Sequence, residues 1–585
     1  MCGIAGLVGG DPRDARARLG GMLERMVQRG PDGRGEAAGG SAYLGCVRLT
    51  IRGGDAGHQP LRTRTGLLVF NGEIYNVPEL VKELDYHGVK VDGASDTQVV
   101  GALIDLHGPG AVHRLNGMYA LAFDDGRRVW MARDPVGQKP LYYTCRDGEG
   151  AFASTIGGLL GGRRSVHGPA LARWLLMHYA WGTETLFTGV LRVPPGGIVE
   201  LPSGRVVQAA DAALRFGAPN PAHTEERLRK VLERAVRDAL PAGERCAVTL
   251  SGGVDSTLVA ALAAAAGARP TAFHGHVAAE GCDESGYARA AAKELGLPLT
   301  EVPVTERACR EALPAVVRAL EEPVAGPGSL AQWVVARSIA EHGTRIVLSG
   351  CGGDELFGGY ARAAALTRDE PPPGLEAYAP LFERVRGLAP GRRALALLDR
   401  RNAELYTQDF LEAHPAPLDA VLQEFELGGP DPLAGAARLE LAITLPALLQ
   451  VEDRVTMAFS LEGRLPLLDR RLLRVAARLG PEARVAPDGT LKALLRRAAA
   501  PYLPASVAAR RDKLGFTLPL GEWLRGPWRE LVRDVLLDPR TRQRGILDAA
   551  AVEATLAAPS CPYNRGLWSA LFLELWHRTF IDSTD

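Results

Sequence analysis

At roughly 100–200 residues per domain, a chain of 585 residues has room for two to four domains, each with its own core. Its 68 lysines and arginines balance 68 aspartates and glutamates, which leaves no electrostatic case for a nucleic-acid or membrane partner. Eight scattered cysteines without CxxC or zinc-site spacing read as reduced thiols of a cytoplasmic protein; the N-terminus lacks a signal-peptide pattern, and no run approaches the ~18 apolar residues of a membrane span.

Up to about residue 205, short apolar runs broken by Gly, Pro and Asp ("MCGIAGLVGG", "GLLVFNGEIYN", "MYALAFDD", "RVWMARDP") predict strands joined by turns, with helical patterns near 14–28 and 95–107. This is a layered α+β pattern. The stretch "RFGAPNPAHTEER" at 215–227 has no periodicity and reads as linker; Thr224 then caps a helical run. Beyond it, "CAVTLSGGVDSTLVAALAAAAG" and "TRIVLSGCGGDELFGG" each give a strand followed by a glycine turn, the signature of a parallel α/β sheet. Past residue 365 the pattern is almost wholly helical.

Cys2 follows an initiator Met that is usually removed before a small residue. Its own α-amine, with a pKa of roughly 8, would then be a usable general base for its thiol. Taken alone, Cys2 also fits a small buried residue opening a strand. The succession "RGPDG" (29–33), "VRL" (47–49), "FNGEIYN" (70–76), "SDTQ" (95–98) and "ARDPVGQKPLYY" (132–143) resembles the class II glutamine amidotransferases, from Cys2 to "VPPGG" at 193–197. The resemblance implies that Cys2 attacks the glutamine side-chain amide and that Asn71 and Gly72 form the oxyanion hole, where such a donor is worth about 3–4 kcal/mol. It further implies that Arg48 binds the glutamine α-carboxylate, Glu73 and Asp96 hold the α-ammonium, and Leu49 and Ile51 complete the glutamine site.

"SGGVDS" at 251–256, between a strand and a helix, lets backbone N–H groups converge on an anion; no GKS or GKT follows, so it is not a Walker A loop. It resembles the pyrophosphate loop of ATP pyrophosphatases. "VLSGCGGDELFGGY" (347–360), "EDRVTMAFSLEGRLPLLD" (452–469, read as a helical signature), "GTLKALLRR" (489–497), "RRDKLGFTLPLGEW" (510–523) and "YNRGLWSALFLELWHRTF" (563–580) extend the resemblance to the asparagine synthetase family over nearly the whole chain.

That resemblance implies an N-terminal nucleophile sandwich of antiparallel sheets with flanking helices, followed by an α/β ATP-pyrophosphatase domain with a helical C-terminal extension. The expected bounds are residues 2–209 for the glutaminase, 210–226 for the linker and 227–585 for the synthetase. ATP would be bound by Leu250, Ser251, Gly252, Gly253, Asp255, Ser256, His274, Ser349, Gly350 and Lys492. Asp255 and Asp354 would hold Mg2+, and Lys492 would neutralise the departing pyrophosphate. Glutamine, ATP and a carboxylate acceptor are the expected small-molecule partners; a homodimer is left open.

The expected reaction frees ammonia at Cys2 and passes it internally to an acyl-adenylate, with L-aspartate as the first choice of acceptor. Another carboxylate stays open, because Cys351 stands where asparagine-forming enzymes carry a glutamate, Gly463 turns "SLEAR" into "SLEGR", "VAGPGSLAQW" occupies 324–333, and "STIGGL" stands at 154–159. These departures are expected to cluster at the acceptor site, whose candidates are Cys351, Glu355 and Gly463; Cys351 is either a small filler or a reactive thiol. A pure glutaminase would not need "SGGVDS", an amide-forming cyclase on this fold would lack Cys2, and a binding protein would not need both sites.

Overall fold

The computed structural model describes all residues except 52, 53, 92, 94, 163, 210–213, 215, 244, 325, 327, 399–401, 513–517, 559–564, 584 and 585. Cys561 and parts of four predicted segments (the linker, 324–333, 510–523 and 563–580) therefore lie outside the described residues.

The first half holds strands β1 (Cys2–Val8), β2 (Gly33–Ala38), β3 (Ala42–Arg48), β4 (Leu61–Arg62), β5 (Leu67–Ile74), β6 (Gly117–Asp124), β7 (Val129–Arg133), β8 (Tyr142–Arg146), β9 (Glu149–Ala153), β10 (Leu191–Arg192), β11 (Ile198–Leu201) and β12 (Arg205–Gln208). They form two six-stranded antiparallel sheets, in the orders β10-β8-β9-β1-β3-β2 and β12-β11-β7-β6-β5-β4. Alternate side chains of both sheets, Ile4, Leu44, Val69, Ala120, Met131 and Phe152 among them, meet in one core between them. The helix Pro12–Glu24 covers the outer face of the first sheet through Leu19, Met22 and Leu23, and the helices Val77–Tyr86 and Asp96–His107 cover the second through Leu80, Leu84, Val100 and Leu103. The result is a four-layer sandwich, as expected; one of its covering helices is absent from the sequence pattern, and Pro78 in its first turn and the preceding Asn76 start this helix, Val77–Tyr86, directly after β5.

The second half is built on a five-stranded, fully parallel sheet of β13 (Cys246–Thr249), β14 (Thr271–His276), β15 (Leu299–Pro303), β16 (Ile346–Leu348) and β17 (Glu462–Arg464), in the order β15-β14-β13-β16-β17. The chain runs outward from β13 in one direction and then returns to its other side at β16. The ends of β13 and β16 are thus a topological switch point, where the following loops diverge and leave a crevice. β17 corrects the wholly helical reading of the region past 365: three buried residues, paired Val347↔Gly463 and Leu348↔Arg464, are too short to show a period of two.

The helical run Pro432–Met457 is the one described segment long and apolar enough to cross a membrane by length and composition, and most of its apolar window (61%) is buried inside the protein. Its last section, Leu445–Met457, lies along the seam between the halves. There Asp453 accepts two hydrogen bonds from Arg29, at 2.7 and 3.2 Å, with both side chains at most 5% exposed. Lys139 lies 3.6 Å away on the same carboxylate. Burial by itself would raise the Asp453 carboxyl; the Arg29 guanidinium and Lys139 ammonium hold it at about 2 instead. Further along the seam, the Glu321 carboxylate accepts the backbone N–H groups of Ile156 (2.8 Å) and Gly157 (2.6 Å) and pairs with Arg454 at 2.7 Å. The helix Gly168–Met177, which precedes the linker in sequence, packs Trp174, Leu175 and Leu176 into the helical core of the second half, and the Trp174 indole donates to Pro323 O at 2.8 Å.

Removing one member of a buried ion pair strands the other charge at a cost of about 3–5 kcal/mol, whereas replacing both with apolar groups is often neutral. Arg29→Met and Asp453→Leu alone are therefore expected to lower the thermal unfolding midpoint more than the double substitution does. A double variant less stable than either single, by calorimetry, would refute a charge-stranding origin.

Candidate functional site

The strand pairing sets the first site. Cys2 lies opposite Arg48 in the β1–β3 register, and the Cys2 backbone N–H donates to Asn71 Oδ1 on β5 of the facing sheet, at 2.9 Å. Asn71 is fully buried, and its Nδ2 has no hydrogen-bond partner among the described residues. A Cβ on Gly72 would lie 2.2 Å from Met118 O, so glycine is what lets β5 run this close to β6. A small cavity of about 40 Å³ opens beside Cys2, and Arg48, Leu49, Ile51, Gly72, Glu73 and Asp96 all line it. Asp96, at the start of its helix, accepts the Ile74 N–H at 2.7 Å. The sequence-predicted glutamine set therefore converges, with Asn71 reaching Cys2 from beneath.

Four further residues stand here without having been singled out. Gln59 and Thr97 line the cavity, as does Glu462, which comes from β17 of the other half. Glu462 lies 3.4 Å from the α-amine of Met1, which also donates to Leu49 O at 3.2 Å. The fourth is Cys46, two residues before Arg48 on the same strand face; the alternation of β3 was the signal that could have found it. A hydrogen bond with Cys46, aided by the N-terminal amine and Arg48, holds the Cys2 thiol at about 6 against burial, while Cys46 itself is pushed up.

The second site fills the crevice at the ends of β13 and β16, a cavity of about 400 Å³, within the range of small-molecule and cofactor sites. In the first glycine loop, Gly252 has φ +70°, and a Cβ there would lie 2.5 Å from Tyr287, so the turn requires glycine. Ser256 Oγ accepts the Ser251 N–H at 3.2 Å, and Ser251 Oγ accepts the Gly253 N–H at 3.2 Å, which curls the loop over the N-terminus of the helix Val254–Ala265. The second loop packs directly on the first: a Cβ on Gly350 would lie 2.6 Å from the Ser256 N, and one on Gly353 2.4 Å from the Asp255 carboxyl carbon.

Asp255 and Asp354 thereby face one another, and the Lys492 ammonium sits between them, 2.5 Å from Asp354 Oδ1 and bonded to Asp255 Oδ2. Burial opposes the charge on Lys492, but the two carboxylates raise its pKa. Two carboxylates converging on a single cation suit Mg2+, which takes one or two protein carboxylates and completes its shell with phosphate and water. No group of three or more His, Cys, Asp or Glu residues able to cage a metal occurs among the described residues. Leu250, Ser251, Gly253, Asp255, Ser256, His274, Ser349, Gly350, Cys351, Asp354 and Lys492 all line this cavity. Arg496 and Arg510 line it too; Arg510 donates to Gly252 O at 3.3 Å and stacks on Tyr287 at 3.8 Å, a role that the motif at 510–523 contained without announcing.

The acceptor candidates separate. Cys351 lines the cavity, and burial together with Glu355, Glu452, Asp354 and Asp255 pushes its thiol well up, so it stands as a neutral thiol and not a reactive one. Glu355 does not line it: one step further around its helix it turns into a neighbouring small cavity, where it accepts the Tyr360 hydroxyl and where burial raises its carboxyl to about 7. Gly463 has no side chain to offer, and the space in front of it holds the Glu452 carboxylate. The departures do not all cluster at the cavity: the 154–159 segment lies at the seam against Glu321, and from 324–333 the residue that lines the cavity is Gln332.

Sequence comparisons agree with this geometry. The family described as glutamine amidotransferase domain matches residues 1–210, and the family described as asparagine synthase matches residues 227–578. A Mycobacterium tuberculosis protein, named provisionally as a glutamine-hydrolyzing asparagine synthetase, is 33% identical over 650 aligned positions covering 100% of this chain and 98% of that one. Glutamine-hydrolyzing asparagine synthetase 1 of Bacillus subtilis is 29% identical, covering 100% and 97%, and asparagine synthetase B of Escherichia coli is 26% identical, covering 88% and 81%. With two glycine loops at a parallel-sheet switch point behind a buried N-terminal cysteine, and relatives aligned from end to end, the chain belongs to the glutamine-hydrolysing asparagine synthetases, a family of ATP-using ligases.

Proposed function

We propose that this chain hydrolyses glutamine at Cys2 and passes the ammonia internally to an acyl-adenylate of L-aspartate, giving L-asparagine, AMP and pyrophosphate. The observation that carries this reading is that one buried helix, Leu445–Met457, touches both sites. Asp453 holds Arg29, whose Nε donates to Cys2 O at 3.4 Å, while Glu452, Val455 and Thr456 wall the large cavity.

In the first half-reaction Cys2, freed of Met1, attacks the glutamine amide carbon. The hydrogen bond with Cys46 and the charge of Arg48 lower the Cys2 thiol, which favours the thiolate that attacks. The buried Asn71 Nδ2 and the Gly72 N–H receive the developing oxyanion. Arg48 takes the glutamine carboxylate; Glu73 and Asp96 take its ammonium. In the second half-reaction Ser251, Gly252, Gly253 and Ser256 cradle pyrophosphate, Leu250, His274, Ser349 and Gly350 hold the nucleoside, and Lys492 follows the negative charge onto the leaving group. Asp255 and Asp354 would hold Mg2+, which when bound neutralises phosphate charge. An acceptor other than aspartate is the competing reading, supported by Cys351 in the loop and by Glu355 turning away from the cavity.

Purified protein given glutamine, ATP, Mg2+ and a panel of carboxylic acids is expected to release AMP with aspartate, read by mass spectrometry. AMP released with another acid and not with aspartate would replace the acceptor and keep the chemistry. Cys2→Ala is expected to abolish glutamine-dependent turnover and to spare synthesis from high ammonium salt; surviving glutamine-dependent amide formation would sink the assignment of the nucleophile. Asp255→Asn, Asp354→Asn and Lys492→Ala are each expected to reduce AMP release about 10²–10³-fold while leaving glutaminase activity, with excess Mg2+ partly rescuing the aspartate variants and not the lysine variant. Normal AMP release by both aspartate variants at limiting Mg2+ would contradict the placement of the nucleotide.

A further inference from the structure

Glu452 lies at the wall of the large cavity, on the same helix that carries the seam residue Asp453. Its carboxylate rests against the backbone of β17: a Cβ built on Gly463 would lie 1.9 Å from Glu452 Oε1, 2.6 Å from Cδ and 2.7 Å from Oε2. Gly463 pairs with Val347 of β16, which itself lines the cavity, so the empty side of that glycine is the cavity side. An alanine there could not coexist with the carboxylate in this position. The loop after β16 meanwhile presents Cys351, a neutral thiol, at the cavity between Gly350 and Asp354. Two of the sequence departures are thus parts of one arrangement, in which position 351 of the loop carries a thiol and no carboxylate, and the glycine makes room for a carboxylate from the helix.

We infer that Glu452 is the base that takes the proton from the attacking nitrogen in the amide-forming step. The inference rests on the adenylation reading above. Ammonia forms a C–N bond to the acyl carbon of the adenylate, leaving a positive charge on nitrogen. Glu452 accepts one N–H proton, the C–O bond to the AMP phosphate breaks, and its electron pair leaves on the phosphate oxygen. Protonated Glu452 then returns its proton to solvent. Burial, opposed by Lys139 and reinforced by Asp453, raises the Glu452 carboxyl to about 7, which suits an acid–base group working near neutrality. Its position also suits the arrival of ammonia, because the adjacent residue, Asp453, is tied through Arg29 to the Cys2 carbonyl.

The test separates adenylation from amide formation. Glu452→Gln is expected to keep acceptor-dependent exchange of pyrophosphate into ATP within about threefold of the unsubstituted protein, and to lose roughly 10²-fold in amide formation from ammonia. Hydroxylamine, whose protonated form loses its proton near neutral pH without help, is expected to recover most of that loss as nucleophile. The double variant Glu452→Gln, Cys351→Glu, which moves the carboxylate to the loop, is expected to recover ammonia use in part. Unimpaired ammonia use by Glu452→Gln, an equal loss with hydroxylamine, or a parallel loss of pyrophosphate exchange would each overturn the assignment, the last by making Glu452 a binding residue. If the unsubstituted protein itself shows no exchange with any carboxylic acid, the adenylation reading fails and this role falls with it.

Discussion

The pair between Arg29 and Asp453 is the constraint on which the relation of the two sites depends. Taking two charges out of water costs several kcal/mol per ion, and the attraction between them returns that only with good geometry and further partners. This pair has both: two hydrogen bonds of 2.7 and 3.2 Å, Lys139 on the far side of the carboxylate, and the Cys2 carbonyl on the Arg29 Nε. Apolar side chains could fill the same space without the desolvation. What they could not do is fix direction. A bidentate arginine–carboxylate contact sets the rotation of the helix Leu445–Met457 about its axis, and that rotation decides which residues face the cavity and which face Cys2. Asp453 points to the first half, so its neighbours Glu452, Val455 and Thr456 are left to wall the nucleotide-sized cavity.

The two sites use charge in opposite senses. Around Cys2 the nearby positive groups are the N-terminal amine and Arg48, and they favour a thiolate. Around the glycine loops the protein brings together two carboxylates, Asp255 and Asp354, and holds them with the buried Lys492. A cluster of that kind is stable only if some cation lies within it, because carboxylates in contact cannot all remain ionised in a low-dielectric space. Lys492 fills that need from a left-handed backbone conformation (φ +55°) at the head of its short helix, and Gly359 permits it: a Cβ there would lie 2.0 Å from the lysine Cε. The lysine is thus placed by a glycine that the sequence alone gave no reason to notice.

Residues whose role depends on a local motif were legible in the sequence. Cys2 opens β1, Asn71 precedes the glycine that lets β5 approach β6, and Asp255 and Asp354 follow the glycine loops, so family-like motifs marked all four as site candidates. Residues whose role depends on distant neighbours were not. Glu462 and Glu452 read as polar positions in a helical stretch, because nothing local says that three residues after that helix form an edge strand against β16. Glu355 was misjudged for the converse reason: it follows Asp354 directly, and on a helix successive residues point about 100° apart, so the acid beside a site residue tends to face elsewhere. The helix Gly168–Met177 shows the same limit at larger scale. It was not among the helical patterns read from the sequence, and although it lies before the linker in chain order, its tryptophan docks on Pro323 in the second half.

Strand β17 touches both sites. On one side Arg464 pairs with Glu462 at 2.7 Å and with Glu73 at 3.3 Å, so a residue of the second half helps to neutralise the carboxylate proposed to hold the glutamine ammonium. On the other side its backbone carbonyl accepts the Ser349 N–H at 3.1 Å, the bond that sets the start of the second glycine loop. Between the two stands Gly463, whose missing side chain leaves the space that Glu452 fills. A glutamine ammonium bound at Glu73, as proposed, would compete directly with the Arg464 guanidinium for that carboxylate. Any shift of Arg464 in response is resisted by its register with Leu348 and by its bond to Ser349. The three-residue strand is therefore anchored to the second glycine loop on one side and paired with Glu73 on the other, so the cavity beside Cys2 and the large cavity share one short backbone element.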